Sequence, residues 1–292
     1  MTAVRFVPSE RTYPLETAFV QDEISLLQNR LRLQIGSKFE HNDFTGFEFQ
    51  PSARASWAFR PDEFIWGAVS RAVRTPTRFD TDTQITAMGI NVAGNPNFKS
   101  EDLVAFEFGY RTRMTPRLSV DVATFFNVYD RLRNLEPRGR PGQFMFLNNL
   151  DAKTYGGEFS ASYDILERLR FVAGYSYLGK RLQLEPGHVD LVAFQMKGND
   201  PKHQFLLRGS ADLPHRVEWD STVRFVSRLP LTLTPHYFEL DSRVGWSPTP
   251  KVELSVIGRN LLHAHHAEFD LPPSGPSEEV QRNIYGRVAL RF

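Results

Sequence analysis

The sequence contains no cysteine and carries almost no net charge. Among its 292 residues, 35 Lys and Arg balance 34 Asp and Glu, which gives a formal net charge of +1 at pH 7. The missing cysteines exclude disulfides, thiolate metal sites and cysteine nucleophiles, and the balanced charge suggests no nucleic-acid partner. No apolar run approaches the ~18 residues of a membrane helix. The first ten residues show no apolar core of a secretory signal peptide either.

Alternation of apolar and polar residues recurs along the chain, whereas helical periodicity is scarce. In the last eleven residues, one set of alternate positions is apolar and ends in the C-terminal aromatic Phe292, and the other set carries Arg287 and Arg291. Alternate side chains of a strand point to opposite faces. A transmembrane β-barrel needs this pattern in every strand, because one face meets lipid and the other a wet lumen.

The alternation predicts about thirteen strands. An Arg or Lys that faces lipid at the bilayer midplane costs roughly 2–4 kcal/mol, and nearly every charge does fall in a polar set; Asp22, in the apolar set of the first strand, is an exception. In the fourth strand, Phe64 and Trp66 are assigned to the apolar face, opposite Arg71. The predicted strands are 16–26, 31–40, 48–59, 64–74, 103–112, 117–130, 152–163, 168–178, 203–213, 217–227, 237–246, 251–260 and 282–292.

The predicted connections alternate between short and longer. Every second connection is a tight turn rich in Pro, Asn and Asp, at 27–30, 60–63, 113–116, 164–167, 214–216 and 247–250. The others are predicted as long loops at 75–101, 131–150, 180–201 and 262–281, with shorter ones near 41–47 and 228–236. Outer-membrane barrels have short periplasmic turns and long extracellular loops. We therefore predict an all-β fold, an antiparallel transmembrane β-barrel; the alternative is a soluble β-propeller or lectin-like binding module, but no fixed-period repeat is found.

Several stretches resemble segments of the TonB-dependent outer-membrane receptors in the order in which that family has them. They are 66–76, which ends in a basic run and Pro76, 94–101 with 106–111, 121–129, 154–158, and 258–262 with the terminal Phe292. Receptors of this family resemble a 22-stranded barrel with a plugged lumen. The resemblance therefore implies that residues 1–292 are the C-terminal part of the barrel domain and that the N-terminal plug and the TonB-contacting segment are missing from this piece.

The resemblance also implies a function. We expect a receptor of the bacterial outer membrane that takes up a scarce nutrient with TonB, foremost a ferric siderophore and less so cobalamin, haem or a glycan. Its expected partners are outer-membrane lipid, the missing plug, TonB through the missing part, the ferric siderophore, and the barrel assembly machinery, for which Phe292 is the expected signal. A passive porin is the alternative among barrels. No phosphate loop, nucleophile elbow or metalloprotease motif is found, so we predict neither an enzyme nor a cofactor.

Candidate site residues follow from charge and position. Arg71 and Arg74 are candidates for an anionic ligand, with ordinary ion pairs as the plainer interpretation. His263, His265, His266 and Glu268 have metal-ligand types, but we interpret them as an external loop and predict no metal site. Residues 77–94 contain no His, so haem is not predicted. The residues expected to line the lumen and meet a plug are Glu107, Arg111, Asp121, Glu158, Arg170, Asp220, Arg224, Asp241, Arg243 and Arg259.

Overall fold

The computed structural model describes residues 3–191, 199–268 and 279–291. Phe292 lies outside them. The strands are β1 (Ala3–Phe6), β2 (Leu15–Leu26), β3 (Leu31–Asn42), β4 (Gly46–Arg60), β5 (Glu63–Arg74), β6 (Thr83–Ala87), β7 (Ile90–Ala93), β8 (Glu101–Thr115), β9 (Leu118–Pro137), β10 (Gln143–Leu166), β11 (Leu169–Leu184), β12 (His203–Leu213), β13 (Val217–Val226), β14 (Tyr237–Thr249), β15 (Val252–Arg259), β16 (His265–Ala267), β17 (Glu279–Gln281) and β18 (Asn283–Leu290). There is also one short α-helix, α1 (Arg78–Thr81), and one 3-10 turn, Pro214–Arg216.

One 16-stranded sheet contains nearly all of these strands, and only β16 and β17 pair with each other outside it. Three strands, β1, β6 and β7, lie off the main path. The remaining thirteen run from β2 to β18 as antiparallel neighbours, and they correspond one to one with the predicted strands. The predicted antiparallel all-β fold is confirmed. The described residues contain no helix with the length and apolar character that a membrane crossing requires.

The strand register separates an apolar face from a polar face. On one face, Phe106 lies opposite Phe126, and these two side chains are 47% and 42% exposed. On the other face, Arg111 lies opposite Asp121, and the same face continues through the remaining strands. Exposed aromatic side chains in such number are expected where lipid replaces water as the neighbour. We call the two faces the outward and the inward face. Asp22 pairs with Ile35 on the outward face, as predicted.

The prediction that Phe64 and Trp66 lie on the apolar face of the fourth strand is wrong. In β5, Trp66 pairs with Gly109 and Ala68 with Glu107, which places Phe64, Trp66, Ala68 and Ala72 on the inward face. Arg71 pairs with Val104 and so begins on the outward face. The phase was inferred from Arg71 alone, whereas Ile65, Val69 and Val73 form the aliphatic outward set. The ring of Trp66 is covered instead by the Arg54 guanidinium, 5.4 Å from its centroid.

The two rims of the sheet differ as predicted. The tight turns lie at one rim, at 27–30, 61–62, 116–117, 167–168, 214–216 and 250–251. The described parts of the remaining connections lie at the other rim, at 43–45, 75–100, 138–142, 185–191, 199–202, 227–236, 260–268 and 279–282. The predicted loop 131–150 is wrong, because β9 and β10 continue through it as a hairpin. Irregular register between Leu147 and Ala152 and a positive φ at Arg131 bend this hairpin, which hid its alternation in the sequence.

Three short strands extend the sheet at the loop rim. β7 pairs with the start of β10, β6 pairs with β7, and β1 pairs with β6. The segment after β1 is held to α1, because Val7 N–H donates to Asp82 (2.9 Å) and Arg78 donates to the Ser9 carbonyl (3.2 Å). These three strands were not predicted, since they are too short to show periodicity.

The main path has two free edges among the described residues. β2 pairs only with β3, and β18 pairs only with β15. Every residue of β2 is exposed. Neighbours along the path alternate in direction, so the first and the thirteenth strand run the same way.

Candidate functional site

A bowl-shaped cavity of about 840 Å³ opens on the inward face near the loop rim. Its walls come from β9, β10 and β11, and its rim carries cationic side chains. Such a volume lies within the ~300–1,000 Å³ of small-molecule sites, which combine apolar walls with a few polar groups. The lining includes the aromatic residues Phe125, Tyr129 and Phe146, the leucines Leu132, Leu135, Leu150, Leu178 and Leu182, and the cations Arg74, Arg133 and Lys180.

Arg74 stands at the end of β5, where its guanidinium joins two carboxylates. It donates to both oxygens of Glu101, at 2.8 and 2.7 Å, and to Asp80 at 3.0 Å. Glu101 is the first residue of β8, and the register places it directly opposite Arg74. Two of the segments that resemble the receptor family, 66–76 and 94–101, therefore meet in this ion pair.

Arg133 of β9 binds the same two carboxylates as Arg74. Its guanidinium donates to Asp80 at 2.9 Å, and its backbone N–H donates to Glu101 at 2.9 Å. The guanidinium also lies 5.5 Å from the ring centroid of Phe79 and 5.2 Å from that of Phe146, within the range of a cation–π contact. Arg74 and Arg133, at the mouth of the bowl, thus each bind both Asp80 and Glu101. The third cation of the bowl, Lys180, is paired with Asp200.

Asp80 is the centre of this group and is fully buried. Burial raises the pKa of its carboxyl, but hydrogen bonds from Arg74, the Thr77 backbone and Arg133 together outweigh that effect and hold the pKa below its ordinary value. The ionised carboxylate therefore stays in place because it is paired, as a buried charge must be.

The local sequence explains how Asp80 reaches this position. Thr77 precedes the short helix α1, and both its N–H (2.9 Å) and its hydroxyl (3.0 Å) donate to Asp80, as at a capped helix start. Gly94 packs against the last turn of α1, where an added Cβ would lie 2.5 Å from the carbonyl carbon of Thr81. Only glycine allows this approach, after which Asn95 N–H donates to the Asp80 carbonyl at 2.8 Å.

The structure separates the two predicted ligand residues. Arg74 lines the bowl, whereas Arg71 begins on the outward face and its guanidinium reaches toward the loop rim. There it contacts Asp102 at 2.5 Å and the Phe49 carbonyl. Long cationic side chains on a lipid-facing surface extend in this way toward the polar boundary. Arg71 therefore does not line the bowl, and a role for it in ligand binding remains a prediction.

The residues predicted to line the lumen do share the inward face, and most of them are paired. Arg243 contacts Glu253 (2.5 Å), Glu218 (3.0 Å) and Asp220 (3.3 Å) on the neighbouring strands. The further pairs are Arg111 with Asp121, Arg170 with Asp164, Arg208 with Asp220, and Arg224 with Glu268. Asp241 accepts the N–H of Asn260 at 2.8 Å. Within the described residues, Glu107, Glu158 and Arg259 form no ion pair.

The histidines after β15 lie in the connection at the loop rim, where two of them contact a buried carboxylate of β14. Glu239 is fully buried and contacts the Nδ1 atoms of His263 (2.6 Å) and His266 (3.1 Å). His266 Nε2 lies 3.2 Å from Glu268, which also binds Arg224. Across the ranges that the structure describes, no group of three His, Cys, Asp or Glu residues is arranged to hold a metal ion.

A family model described as "TonB dependent receptor-like, beta-barrel" matches residues 4–261 of the sequence. The chain belongs to this family. The match covers the bowl, the inward ion pairs apart from Glu268, and all but the last strand of the main path. The family and the fold predicted from sequence are both confirmed.

Solved structures of TonB-dependent siderophore receptors share the fold. Two of them are the siderophore receptor PirA of Acinetobacter baumannii (13% identity, TM-score 0.76) and a mutant of the ferric enterobactin receptor of Pseudomonas aeruginosa in complex with enterobactin (15% identity, TM-score 0.76). Each match covers 96% of this chain and 46% of the solved chain. Less than half of the length of these receptors is therefore represented in the 292 residues.

A curated relative supports the same family. The iron-regulated outer membrane virulence protein of Vibrio cholerae serotype O1 is 27% identical over 186 residues, which is 58% of this chain and 28% of that protein. The chain thus spans a minor part of the curated relative that it matches.

Proposed function

We propose that this chain forms the C-terminal part of the wall of an outer-membrane receptor that imports a ferric siderophore with TonB. The observation that carries the proposal is the bowl at the loop rim, built where two family-like segments meet around Asp80. The outward row of exposed apolar side chains supports a lipid neighbour, and the two unequal rims support an orientation with the long connections outside the cell.

The bowl favours a ligand that combines flat apolar groups with negative charge. Phe125, Tyr129 and Phe146 offer apolar ring surface, and Arg74 and Arg133 offer paired N–H donors at the mouth. Both arginines already bind carboxylates, so an anionic ligand has to exchange with Glu101 or Asp80. Glu101 is the partner to be displaced, because Asp80 is buried and held by five donor contacts. The selectivity of the bowl among anionic ligands then depends on how well each ligand replaces the Glu101 carboxylate as the partner of Arg74.

The inward face supports a plug as the partner of the wall. Glu107, Glu158 and Arg259 have no ion-pair partner among the described residues, and Arg111 is 71% exposed at its side chain although it is paired. Charged groups in a narrow lumen are most stable when they are paired. A folded plug with complementary charges provides those partners, and coupling to TonB requires such a plug in this family. We expect no catalytic activity.

Growth on chelated iron tests this proposal. We would express the full-length parent receptor, with the plug-encoding sequence expected upstream, in a strain that lacks its own siderophore receptors. The expected result is growth on ferric enterobactin or a ferric hydroxamate that is lost when tonB is deleted. TonB-independent growth would identify a passive porin instead. The 292-residue chain expressed alone with an export signal should enter the membrane fraction without restoring growth, since it spans less than half of the length of the solved receptors that it resembles.

A matched pair of variants tests the bowl. Arg133→Gln removes one donor at the mouth and leaves Arg74 to hold Asp80, whereas Arg111→Gln removes an inward arginine far from it. A charged hydrogen bond contributes about 1.5–3 kcal/mol, so Arg133→Gln should weaken binding of the transported ferric siderophore at least about tenfold. Arg111→Gln should leave it unchanged. Equal affinities of both variants and the parent would remove the bowl as the binding site.

A further inference from the structure

One lysine lies in the apolar wall of the bowl. Lys180 is placed between Leu178 and Leu182 on the inward face of β11, and all three residues line the bowl. The Lys180 side chain is only 24% exposed. An ammonium that is largely withdrawn from water has to be paired, and the partner of Lys180 in the free protein is Asp200.

Lys180 ends a row of polar side chains that crosses three strands. The register places Thr154 of β10 opposite Lys180, and Asn127 of β9 opposite Thr154. The Asn127 amide donates to the Thr154 hydroxyl at 3.1 Å. The bowl therefore presents an ammonium, a hydroxyl and an amide side by side, which are groups that can orient the oxygens of one anion.

Apolar rows lie on both sides of this polar row. The row toward the loop rim consists of Tyr129, Ala152 and Leu182, and the row on the other side consists of Phe125, Gly156 and Leu178. The Phe125 ring lies over Gly156, where an added Cβ would come within 2.7 Å of it. Because these rows restrict the access of water, an ion pair of Lys180 is screened less than one on an open surface.

Asp200 is the internal partner that a ligand has to replace. It lies in the connection between β11 and β12, it lines the bowl, and its side chain is 43% exposed. Water can therefore take over as its partner at little cost, as at an exposed ion pair. Glu101, which also lines the bowl, is likewise bound by bowl residues, Arg74 and Arg133. The anionic group that these donors bind in the free protein is thus a carboxylate.

We propose that Lys180 is a specificity-determining residue of the bowl, that it binds a free carboxylate of the ferric chelate, and that Asp200 competes with the ligand for this position. This rests on the proposed function and names the class of chelate. The oxygens of a catecholate are bound to the iron and leave no free anionic group for Lys180. A ferric hydroxamate is itself uncharged, so its charge comes from a carboxylate side group. The favoured ligand is therefore a ferric hydroxamate that carries a free carboxylate.

Affinities for two matched chelates test this site. The full-length receptor, purified in detergent, is titrated with a linear ferric trihydroxamate that ends in a carboxylate and with the methyl amide of the same chelate, and quenching of tryptophan fluorescence reports binding. The carboxylate form should bind the parent about fivefold more tightly than the amide, as expected for one partly exposed ion pair. Lys180→Gln should remove this preference and leave the affinity for the amide unchanged.

Asp200→Asn distinguishes competition from a structural role. Without the internal carboxylate, the carboxylate form should bind about two- to fivefold more tightly than it binds the parent, whereas the amide should bind as before. A merely structural role of Asp200 predicts no such gain. Combination with Lys180→Gln should abolish the gain. The control Glu185→Gln removes a carboxylate from the same connection outside the lining of the bowl and should leave both affinities as in the parent.

Three outcomes would overturn the site and leave the proposed function in place. They are equal affinity of the parent for the two chelates, a gain in Asp200→Asn that persists when Lys180 is replaced, and binding of ferric enterobactin without binding of either trihydroxamate. Binding of none of the three chelates would contradict the proposed function itself. Heat-modifiable electrophoresis of each variant confirms folding before titration.

Discussion

The guanidinium of Arg74 and the carboxylate of Asp80 are 3.0 Å apart, and Asp80 has no exposed surface while the Arg74 side chain is 42% exposed. The pair therefore spans the boundary between the protein interior and the bowl. It also joins the end of β5 to α1, and through Glu101 it joins both to β8. A buried carboxylate in this position sets the shape of the loop rim, and the exposed side of the arginine is left for a ligand.

Replacing Asp80 by Asn should loosen the loop rim without unfolding the sheet. The change removes the charge that Arg74 and Arg133 share and keeps the shape of the side chain. Because both arginines are about 40% exposed, water can take over as their partner, and we expect a cost of about 1–3 kcal/mol rather than that of a fully buried charge. Hydrogen exchange across residues 77–100 of the full-length receptor should accelerate roughly five- to 150-fold.

An exposed ion pair at the opposite rim provides the control for this measurement. Asp164 pairs with Arg170 at 2.5 Å, and both side chains are well exposed. Asp164→Asn should leave exchange at residues 77–100 as it is in the parent. If Asp80→Asn also left it unchanged, Asp80 would not be the residue that organises the rim.

The same carboxylate predicts a pH dependence. The pKa of Asp80 is lower in the folded chain than its ordinary value, so the folded state binds fewer protons there than the unfolded state. Its contribution to stability is therefore complete above the ordinary aspartate pKa of about 3.9 and is lost as the pH falls through the lower folded value. Exchange of residues 77–100, corrected for its intrinsic pH dependence, should be flat from pH 8 to 5 and rise below about pH 4, a rise absent in Asp80→Asn.

The division into faces predicts opposite effects at adjacent positions of β13. Val223 points outward and lies opposite Leu207 and Leu240, whereas Thr222 points inward and lies opposite Arg208 and Asp241. A lysine at 223 should lower folding stability in lipid vesicles by roughly 2–4 kcal/mol. Thr222→Lys can pair with Asp241 and should stay near the parent. Equal losses in urea titrations of the two variants would contradict the assignment of lipid to the outward face.

The role of Phe292 remains a prediction, because it lies outside the described residues. The preceding strand β18 is one edge of the path and must find a partner for a barrel to close, since open edges are not tolerated in lipid. Deleting Phe292 from the full-length receptor should lower the heat-resistant folded fraction in the outer membrane, whereas Leu290→Val in the same strand should not. An unchanged fraction would exclude it as an assembly signal.

The sheet could be predicted from sequence because each strand carries its own evidence. Alternation over ten or so residues fixes both the existence of a strand and its face, as in β12, where the observed bounds His203–Leu213 equal the predicted ones. Alternation does not determine the face of a strand whose two sets of alternate side chains have similar polarity. In β5 both sets contain small and apolar residues, so one charge, Arg71, decided the phase and decided it wrongly.

The bowl could be predicted only in part. Arg74 was identified because it ends a strand in a family-like segment, but Asp80 and Arg133 were missed. They come from a four-residue helix and from a strand extension that irregular register hides, and their meeting with Arg74 depends on contacts far apart in sequence. Thr77 followed by Asp80 was the one local signal for the helix start. Likewise, the sequence held no sign that Glu239 would be buried against His263 and His266.

The shared direction of β2 and β18 restricts how a complete cylinder can be made from this wall. Two copies of the chain joined edge to edge would require β18 of one copy to run antiparallel to β2 of the next, which turns the second copy upside down. Its long connections would then face the periplasm, and a membrane with two chemically different sides cannot accept both orientations of one chain. Two copies in the same orientation therefore cannot close an all-antiparallel ring of 26 strands, because each contributes thirteen strands of the path. An all-antiparallel closure instead needs an odd number of additional strands between these edges, and nine of them would complete the ~22 strands of the plugged outer-membrane transporters.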